Sequence, residues 1–263
     1  MTALSLALKD LKNGGKDWRL WSALAQEDLA QRYKRTLIGI AWITITFGLF
    51  IGAKVLIFGN IMKVPMAEYS VYVTLGFLAW QFLSAGVTDG CGVFVNSENW
   101  IKGVNTPLSL YIYQMIARNF MMLLFSAFAG CIIIISVRHP VTFKAFMAIP
   151  ALIIYILNTI WVSLVLGSIT ARFRDLLHLF STAMRIIFFL TPILWMPKQF
   201  GPSLRKYTDY NPFTHYLAIF REPILYDQYA WRSWVIVLLI TAVGWIIGLS
   251  VCSKTRKRIV FWL

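Results

Sequence analysis

Apolar and polar positions alternate along this chain on a long scale. Six apolar runs, 37–59, 69–95, 110–137, 143–171, 179–195 and 234–252, are separated by polar connectors. A helix needs about 20 predominantly apolar residues to cross the hydrocarbon core of a bilayer, so each run predicts a membrane-spanning helix. The fifth run is the shortest and the most unusual. A charged turn of Arg172, Arg174 and Asp175 precedes it, Arg185 lies inside it, and it ends in Thr191-Pro192-Ile193-Leu194-Trp195. A helix that leaves a bilayer, turns at a charged elbow and goes straight back has this pattern. Such an elbow gives a soluble partner something to push on.

The connectors carry their own signals. Residues 1–15 are polar and close on Asn13-Gly14-Gly15, which predicts a break. Over 16–33, Trp18, Trp21, Leu24, Ala25, Leu29 and Tyr33 recur at three- and four-residue spacing, with Arg19, Gln26, Glu27, Gln31 and Arg32 on other faces. That predicts an amphipathic helix, suited to the headgroup layer or to a soluble partner. The second run is interrupted late by Asp89-Gly90-Cys91-Gly92. A carboxylate facing lipid costs roughly 2.5–3.5 kcal/mol, so Asp89 is expected to face protein or water or to lie near the interface, with Arg118 of the third run a possible partner. Connector 96–109 is polar with Trp100 as an anchor, and Arg138-His139-Pro140 predicts a tight turn. In the long connector 196–232, Asn211-Pro212 is a helix cap followed by a first-turn proline. Two short half-helices, roughly 198–207 and 212–220, are expected there, the second stopped by Arg221-Glu222-Pro223.

Composition sharpens this picture. Of 263 residues, 59% are hydrophobic and 14% charged, with mean hydropathy +0.67, whereas soluble domains carry about 45–50% apolar and 25% charged residues. The expected fold is all-α and membrane-integral: an N-terminal segment 1–36, a membrane domain 37–253 with six spans, and a basic tail 254–263. Net charge is +14, with no basic-aromatic surface of the kind that tracks nucleic acid. Lys and Arg instead set topology. The side holding both termini carries fourteen: seven before residue 37, then Lys102, Arg172, Arg174 and four over 254–258. The other side carries eight, Lys63 among them. The positive side is cytoplasmic, so both termini and the elbow are expected there. The first apolar run starts only near Leu37 and is too long for a signal-peptide core. Cys91, Cys131 and Cys252 lie in apolar runs without paired or metal-binding spacing.

No catalytic chemistry is apparent. Gly14-Gly15-Lys16-Asp17 lacks both the earlier glycine and the Ser or Thr of a phosphate-binding loop. His139, His178 and His215 sit in three different connectors, which argues against a metal site, and no Gly-x-Ser-x-Gly elbow occurs. The polar midplane residues and repeated halves of coupled carriers are also missing. The aromatic fraction, 16%, is high. Phe47, Phe50, Phe188, Phe189 and Trp195 either pack against lipid or line a path, where ring faces would stack on the apolar faces of sugars.

Four motifs in series resemble the membrane subunits of ABC exporters for O-antigen, capsule and teichoic-acid polymers. They are Arg32-Tyr33-Lys34-Arg35 through Leu37-Ile38-Gly39-Ile40-Ala41-Trp42, then Phe173-Arg174-Asp175-Leu176, then Thr191-Pro192-Ile193-Leu194, then Tyr210-Asn211-Pro212 with Arg221-Glu222. The resemblance runs from about Lys16 to the C-terminus. It implies a type-2 ABC permease in the bacterial inner membrane, a homodimer engaging two copies of a separate ATPase that carries the ATP and Mg. This chain would hold no cofactor and do no covalent chemistry. Coupling to the ATPase falls to Trp21, Glu27 and Arg32, to Glu98, Trp100 and Lys102, and to Arg172, Arg174 and Asp175. The first and fifth spans would border the polymer path, and Tyr210, Asn211, Pro212, Arg221 and Glu222 would form a periplasmic gate. The chain departs from many relatives in the second connector, where Lys102-Gly103-Val104 stands in place of a more basic stretch. A lipid-linked polysaccharide is the implied substrate; an exporter of drugs or small lipids and a membrane-bound glycan-modifying enzyme are the alternatives.

Overall fold

The computed structural model describes residues 3–62, 64–199 and 201–263; Lys63, counted in the charge balance, lies outside them. The described residues form helices and connecting turns, with no strand. In chain order these are α1 (Ala3–Lys16), α2 (Trp18–Arg32), α3 (Ala41–Met62), α4 (Met66–Asn96), α5 (Glu98–Gly103), α6 (Leu108–Ser136), α7 (Ala148–Arg172), α8 (Leu176–Leu190), α9 (Pro202–Tyr210), α10 (Pro212–Leu225) and α11 (Trp231–Trp262). Short 3-10 turns at Phe143–Met147 and Pro197–Gln199 precede α7 and α9. Five helices, α3, α4, α6, α7 and α11, are long and apolar enough to cross a membrane. At 15 residues, or about 22 Å at 1.5 Å per residue, α8 is apolar but shorter.

α4 is the axis of the bundle. It is buried along most of its length and packs against α3, α6, α7, α8 and α10. The predicted break at Asp89–Gly92 does not occur, since α4 runs through it as one 31-residue helix. The glycines serve close packing instead. A Cβ on Gly90 would stand 2.6 Å from Ser163 Oγ, and one on Gly167 would stand 3.0 Å from the Gly90 carbonyl oxygen, so α4 and α7 approach nearly backbone to backbone. Lipid tails give helices no hydrophobic reason to associate, and small residues at the contact let dispersion and hydrogen bonds supply the cohesion. Thr170 donates across this contact to the Cys91 carbonyl.

Both ends of the chain depart from expectation. Residues 3–16 form a helix rather than a polar segment ending in a break. Gly14 lies inside it because a Cβ there would collide with Ser109 and with the Leu110 amide. The predicted tail 254–263 is likewise the last turns of a continuous 32-residue α11. One buried carboxylate joins these ends. Asp10 accepts hydrogen bonds from the Leu108 and Ser109 amides at the start of α6 (3.3 and 3.0 Å) and pairs with Arg256 Nη2 at 2.8 Å. Its charge is thereby matched to a helix N-terminus and to an arginine at once.

Smaller boundaries also shift. α3 starts at Ala41, because residues 36–40 turn through Gly39 at φ +57° and leave Leu37 fully exposed. α2 lies on α6 through Ala25, Leu29 and Trp21, while Trp18 points outward, so its two tryptophans do not share a role. Pro223 does not stop α10, which continues one turn to Leu225; the Ile224 carbonyl there meets His139 Nε2 at 3.0 Å.

The α4–α7 contact predicts a sharp packing asymmetry. Gly167→Leu should destabilise the bundle by about 1–3 kcal/mol through overpacking, read as a lowered Tm of the detergent-solubilised protein. Gly52→Ala, where an added Cβ meets nothing within 4 Å, should leave Tm unchanged. Equal melting of the two variants would contradict close packing at this contact.

Candidate functional site: an unwound exit, an aromatic groove and a charged edge

α8 ends at Leu190, five residues before the end of the predicted span. The chain continues without helical structure through Thr191–Met196 while staying inside the protein, with Thr191, Ile193 and Met196 buried. Proline at position 192 cannot donate to the preceding turn, and the carbonyls it frees need partners. Two helices, α4 and α10, supply them. Tyr69 Oη donates to the Leu194 carbonyl at 2.7 Å, and Tyr72 Oη meets the Pro192 and Trp195 carbonyls at 2.8 and 2.9 Å. Arg221, 6% exposed on α10, donates to the Pro192 carbonyl at 2.9 Å and lies over the Tyr72 ring at 3.9 Å. Asn211 caps α10 by accepting from the Phe213 amide (2.9 Å) and donates to Thr191 Oγ1 at 2.9 Å. Of the residues read as a gate, Asn211, Pro212 and Arg221 thus gather at this exit. Tyr210 stands exposed beside them, and Glu222 is half-buried one position past Arg221. Tyr69 and Tyr72 were missed in the sequence, where nothing separated them from an interfacial belt.

Next to the exit lies an open groove. Two adjoining hollows of about 570 and 540 Å3 share Phe77, Trp80, Ser84 and Thr88 of α4. α3 contributes Phe47 and Phe50 to one, and α8 contributes Arg185, Phe188 and Phe189 to the other. The rings form a connected series, with centroids 4.8 Å apart for Phe50–Phe77, 5.4 Å for Phe77–Phe188 and 5.7 Å for Trp80–Phe188. Phe189 also borders a third hollow of about 850 Å3 at the exit, lined by Phe58, Trp195, Tyr207 and Tyr210 among others. The five aromatics singled out in the sequence therefore lie along one surface. Its floor, contributed by α4, could not be foreseen, because Phe77 and Trp80 sit within a uniformly apolar run.

The opposite end gathers the charged edge. Arg174 Nη2 donates to Glu98 Oε2 at 3.1 Å and to the Leu263 carbonyl at 2.8 Å, and Lys102 Nζ reaches Glu98 Oε1 at 2.7 Å. The elbow is thus tied to α5 and to the end of α11. The Lys102 hydrogen bond, with Arg174 beside it, holds Glu98 below the usual carboxylate range, so its charge persists through neutral pH and is lost only in acid. Arg172 lies over the Trp262 ring at 5.6 Å. Asp175 precedes α8, but its side chain makes no capping bond. Trp100 is exposed on α5. On α2, Glu27 accepts from Gln31 (2.9 Å), Arg32 is exposed and Trp21 rests on Tyr113. α2 reaches the bundle through Asp28, which meets Arg118 Nη1 at 3.4 Å, while Arg118 Nη2 reaches Asp89 at 2.8 Å. Asp89 is therefore paired, as its cost in lipid requires. Among the described residues, no cluster of three or more His, Cys, Asp or Glu could hold a metal ion.

A helical membrane bundle with a charged edge at one end and an unwound, proline-broken exit at the other is the architecture of a transporter's membrane subunit. Residues 19–225 match the ABC-2 type transporter family, and the chain belongs to that family; it is a type-2 ABC permease. Two proteins of Klebsiella pneumoniae, both described as O-antigen export system permease protein RfbA, are 24% and 23% identical to it over 96% of this chain and 98% of their own lengths. A Myxococcus xanthus protein of the same description is 24% identical over 78% of this chain and 81% of its own.

Replacing Arg221 should loosen the exit specifically. A hydrogen bond from a charged donor contributes about 1.5–3 kcal/mol. Arg221→Leu should therefore speed amide hydrogen exchange over 191–196 by roughly tenfold or more, with exchange in α6 unchanged. Unaltered exchange at the exit would show that Arg221 does not hold it.

Proposed function

We propose that this chain is the membrane subunit of an ATP-driven exporter that moves a lipid-linked polysaccharide across the bacterial inner membrane. The observation that carries the reading is the groove: a connected aromatic surface with hydroxyls at Ser84 and Thr88 and no acidic side chain among its lining residues. Such a wall suits the ring faces of a sliding glycan. The two Klebsiella relatives, described as O-antigen export permeases and matching this chain nearly end to end, support the same substrate class.

In this reading the positive end is cytoplasmic, and α8 with the unwound 191–196 makes the sixth crossing. Two copies of the chain face each other across their α3 and α8 surfaces, where Leu49, Phe50, Ile186, Phe189 and Leu190 are exposed, and their paired grooves form the path. Two copies of a separate ATPase bind α2, α5 and the elbow. Nucleotide-driven closure presses on α5 and, through Glu98–Arg174, on the start of α8. The helix carries that displacement to the exit, where the Asn211, Pro212 and Arg221 cluster with Tyr210 and Glu222 acts as the gate. ATP and Mg stay on the partner, and this chain makes and breaks no covalent bond.

Loss of the chain tests the reading in cells. Deleting its gene should remove polymer from the cell surface while lipid-linked glycan accumulates inside. A tagged copy should restore export and co-purify with a protein of nucleotide-binding size, and Arg174→Glu should lower export several-fold. Normal surface polymer in the deletion strain would overturn the proposal.

A further inference from the structure

Three arginines sit on helices within the body of the bundle, and two of them have partners on this chain. Arg118 is paired with Asp89 and Asp28, and Arg221 with the Pro192 carbonyl and the Tyr72 ring. Arg185 differs. It is exposed on α8, it borders the groove, and among the described residues no carboxylate or carbonyl meets its guanidinium. Its neighbours there are the rings of Phe77, Trp80 and Phe188 and the hydroxyl residues Ser84, Thr88 and Ser181. Further along the path, Lys54 of α3 is held only over the rings of Phe50 and Phe58, at 5.2 and 5.6 Å. Arg185 thus borders the groove and Lys54 lies over two rings that line it and the exit hollow, with no acidic side chain among the described lining residues.

A cation kept in such a place without an internal partner is costly, and the cost is offset when an anion arrives with the cargo. We propose that Arg185 is the anion-binding residue of the groove and takes the diphosphate ester that joins the transported glycan to its lipid. Lys54 would receive the same group as it advances. This rests on the lipid-linked reading above and adds to it the atoms that recognise the linkage. A guanidinium presents a planar fork of donors that matches phosphate oxygens, and it stays charged at every physiological pH. The surroundings fit an amphipathic ligand on both sides. Leu179, less than two turns before Arg185 on α8, is exposed and apolar, suited to the start of a hydrocarbon chain, while the rings of Phe77, Trp80 and Phe188 lie on the glycan side. A phospholipid headgroup and a phosphate or acidic group within the glycan offer related chemistry, so the test must separate these sources.

The test uses the full-length permease, co-purified with its ATPase, in nanodiscs of phosphatidylcholine. Binding of radiolabelled farnesyl diphosphate is measured for wild type, Arg185→Gln and Arg185→Lys, with farnesol, phosphatidylglycerol and an acidic oligosaccharide as competitors. The proposal expects at least about tenfold weaker binding in Arg185→Gln and a smaller loss in Arg185→Lys. It also expects little competition from farnesol or phosphatidylglycerol, and unchanged Tm in both variants, because Arg185 is exposed and leaves no cavity. Equal affinity in wild type and Arg185→Gln would overturn it. So would phosphatidylglycerol competing as well as the diphosphate, or an Arg185-dependent site that holds only the acidic oligosaccharide. Arg185-dependent diphosphate binding in a chain whose deletion leaves surface polymer intact would keep the anion site and remove the polysaccharide reading. The converse pair of results would remove the site and keep the reading.

Discussion

An unwound backbone inside an apolar bundle must find partners for its carbonyls, because no water is there to serve them. That constraint organises the exit of this permease. Residues 191–196 leave the helical ladder at Pro192, and Tyr69, Tyr72 and Arg221 each supply donors to carbonyls that the ladder no longer uses. The partners are themselves fixed from below. Tyr69 and Tyr72 stand on α4, whose position is set by its backbone-close contact with α7 at Gly90 and Gly167. Arg221 stands on α10, which a second network holds in place: Tyr155 Oη donates to the Tyr216 carbonyl, and Tyr216 Oη to Asn158 Oδ1 at 2.7 Å. The exit is irregular, and its freed carbonyls are held by side chains from two helices that the rest of the bundle fixes in place.

The two ends of the molecule are linked by α8. Its start is the elbow, bound through Arg174 to α5 and to the end of α11. Its far end is the exit. In the proposed mechanism this 15-residue helix acts as a short rod whose unwound end can yield. In that mechanism, force applied at Glu98 and Arg174 would travel along the helix to Thr191 and be taken up where Pro192 has already broken the ladder. The groove lies along this rod, and Phe188 and Phe189 move with it. α1 and α11, joined through Asp10 and Arg256, brace the start of α6 against the same displacement.

Much of this was legible in the sequence, for identifiable reasons. Long apolar runs announce membrane helices because length and composition suffice, and the charged elbow and Asn211-Pro212 cap are local signals that tertiary packing left intact. The errors fell where packing reverses a local rule. Gly90 read as a breaker, yet against Ser163 and Gly167 it is what lets two helices touch. Gly14 read as the end of a polar segment, and the backbone of α6 fills the space its missing side chain leaves. Residues 254–263 read as a basic tail, whereas Arg256 within α11 is bound to a buried carboxylate 246 positions earlier in the chain. The floor of the groove was invisible for another reason: Phe77 and Trp80 differ from their lipid-facing neighbours only in what stands opposite them.

The central claim is that the charged edge at one end governs the exit at the other. Site-directed labelling in the purified permease–ATPase complex tests it most directly. Cys131 is exposed while Cys91 and Cys252 are buried, so Cys131→Ser gives a quiet background for Trp195→Cys and a membrane-impermeant maleimide. Coupling between the two ends predicts labelling several-fold faster during ATP turnover than without nucleotide, and loss of that difference when Arg174→Glu is added. Labelling that ignores nucleotide, or that responds equally with the Glu98–Arg174 bridge broken, would contradict it.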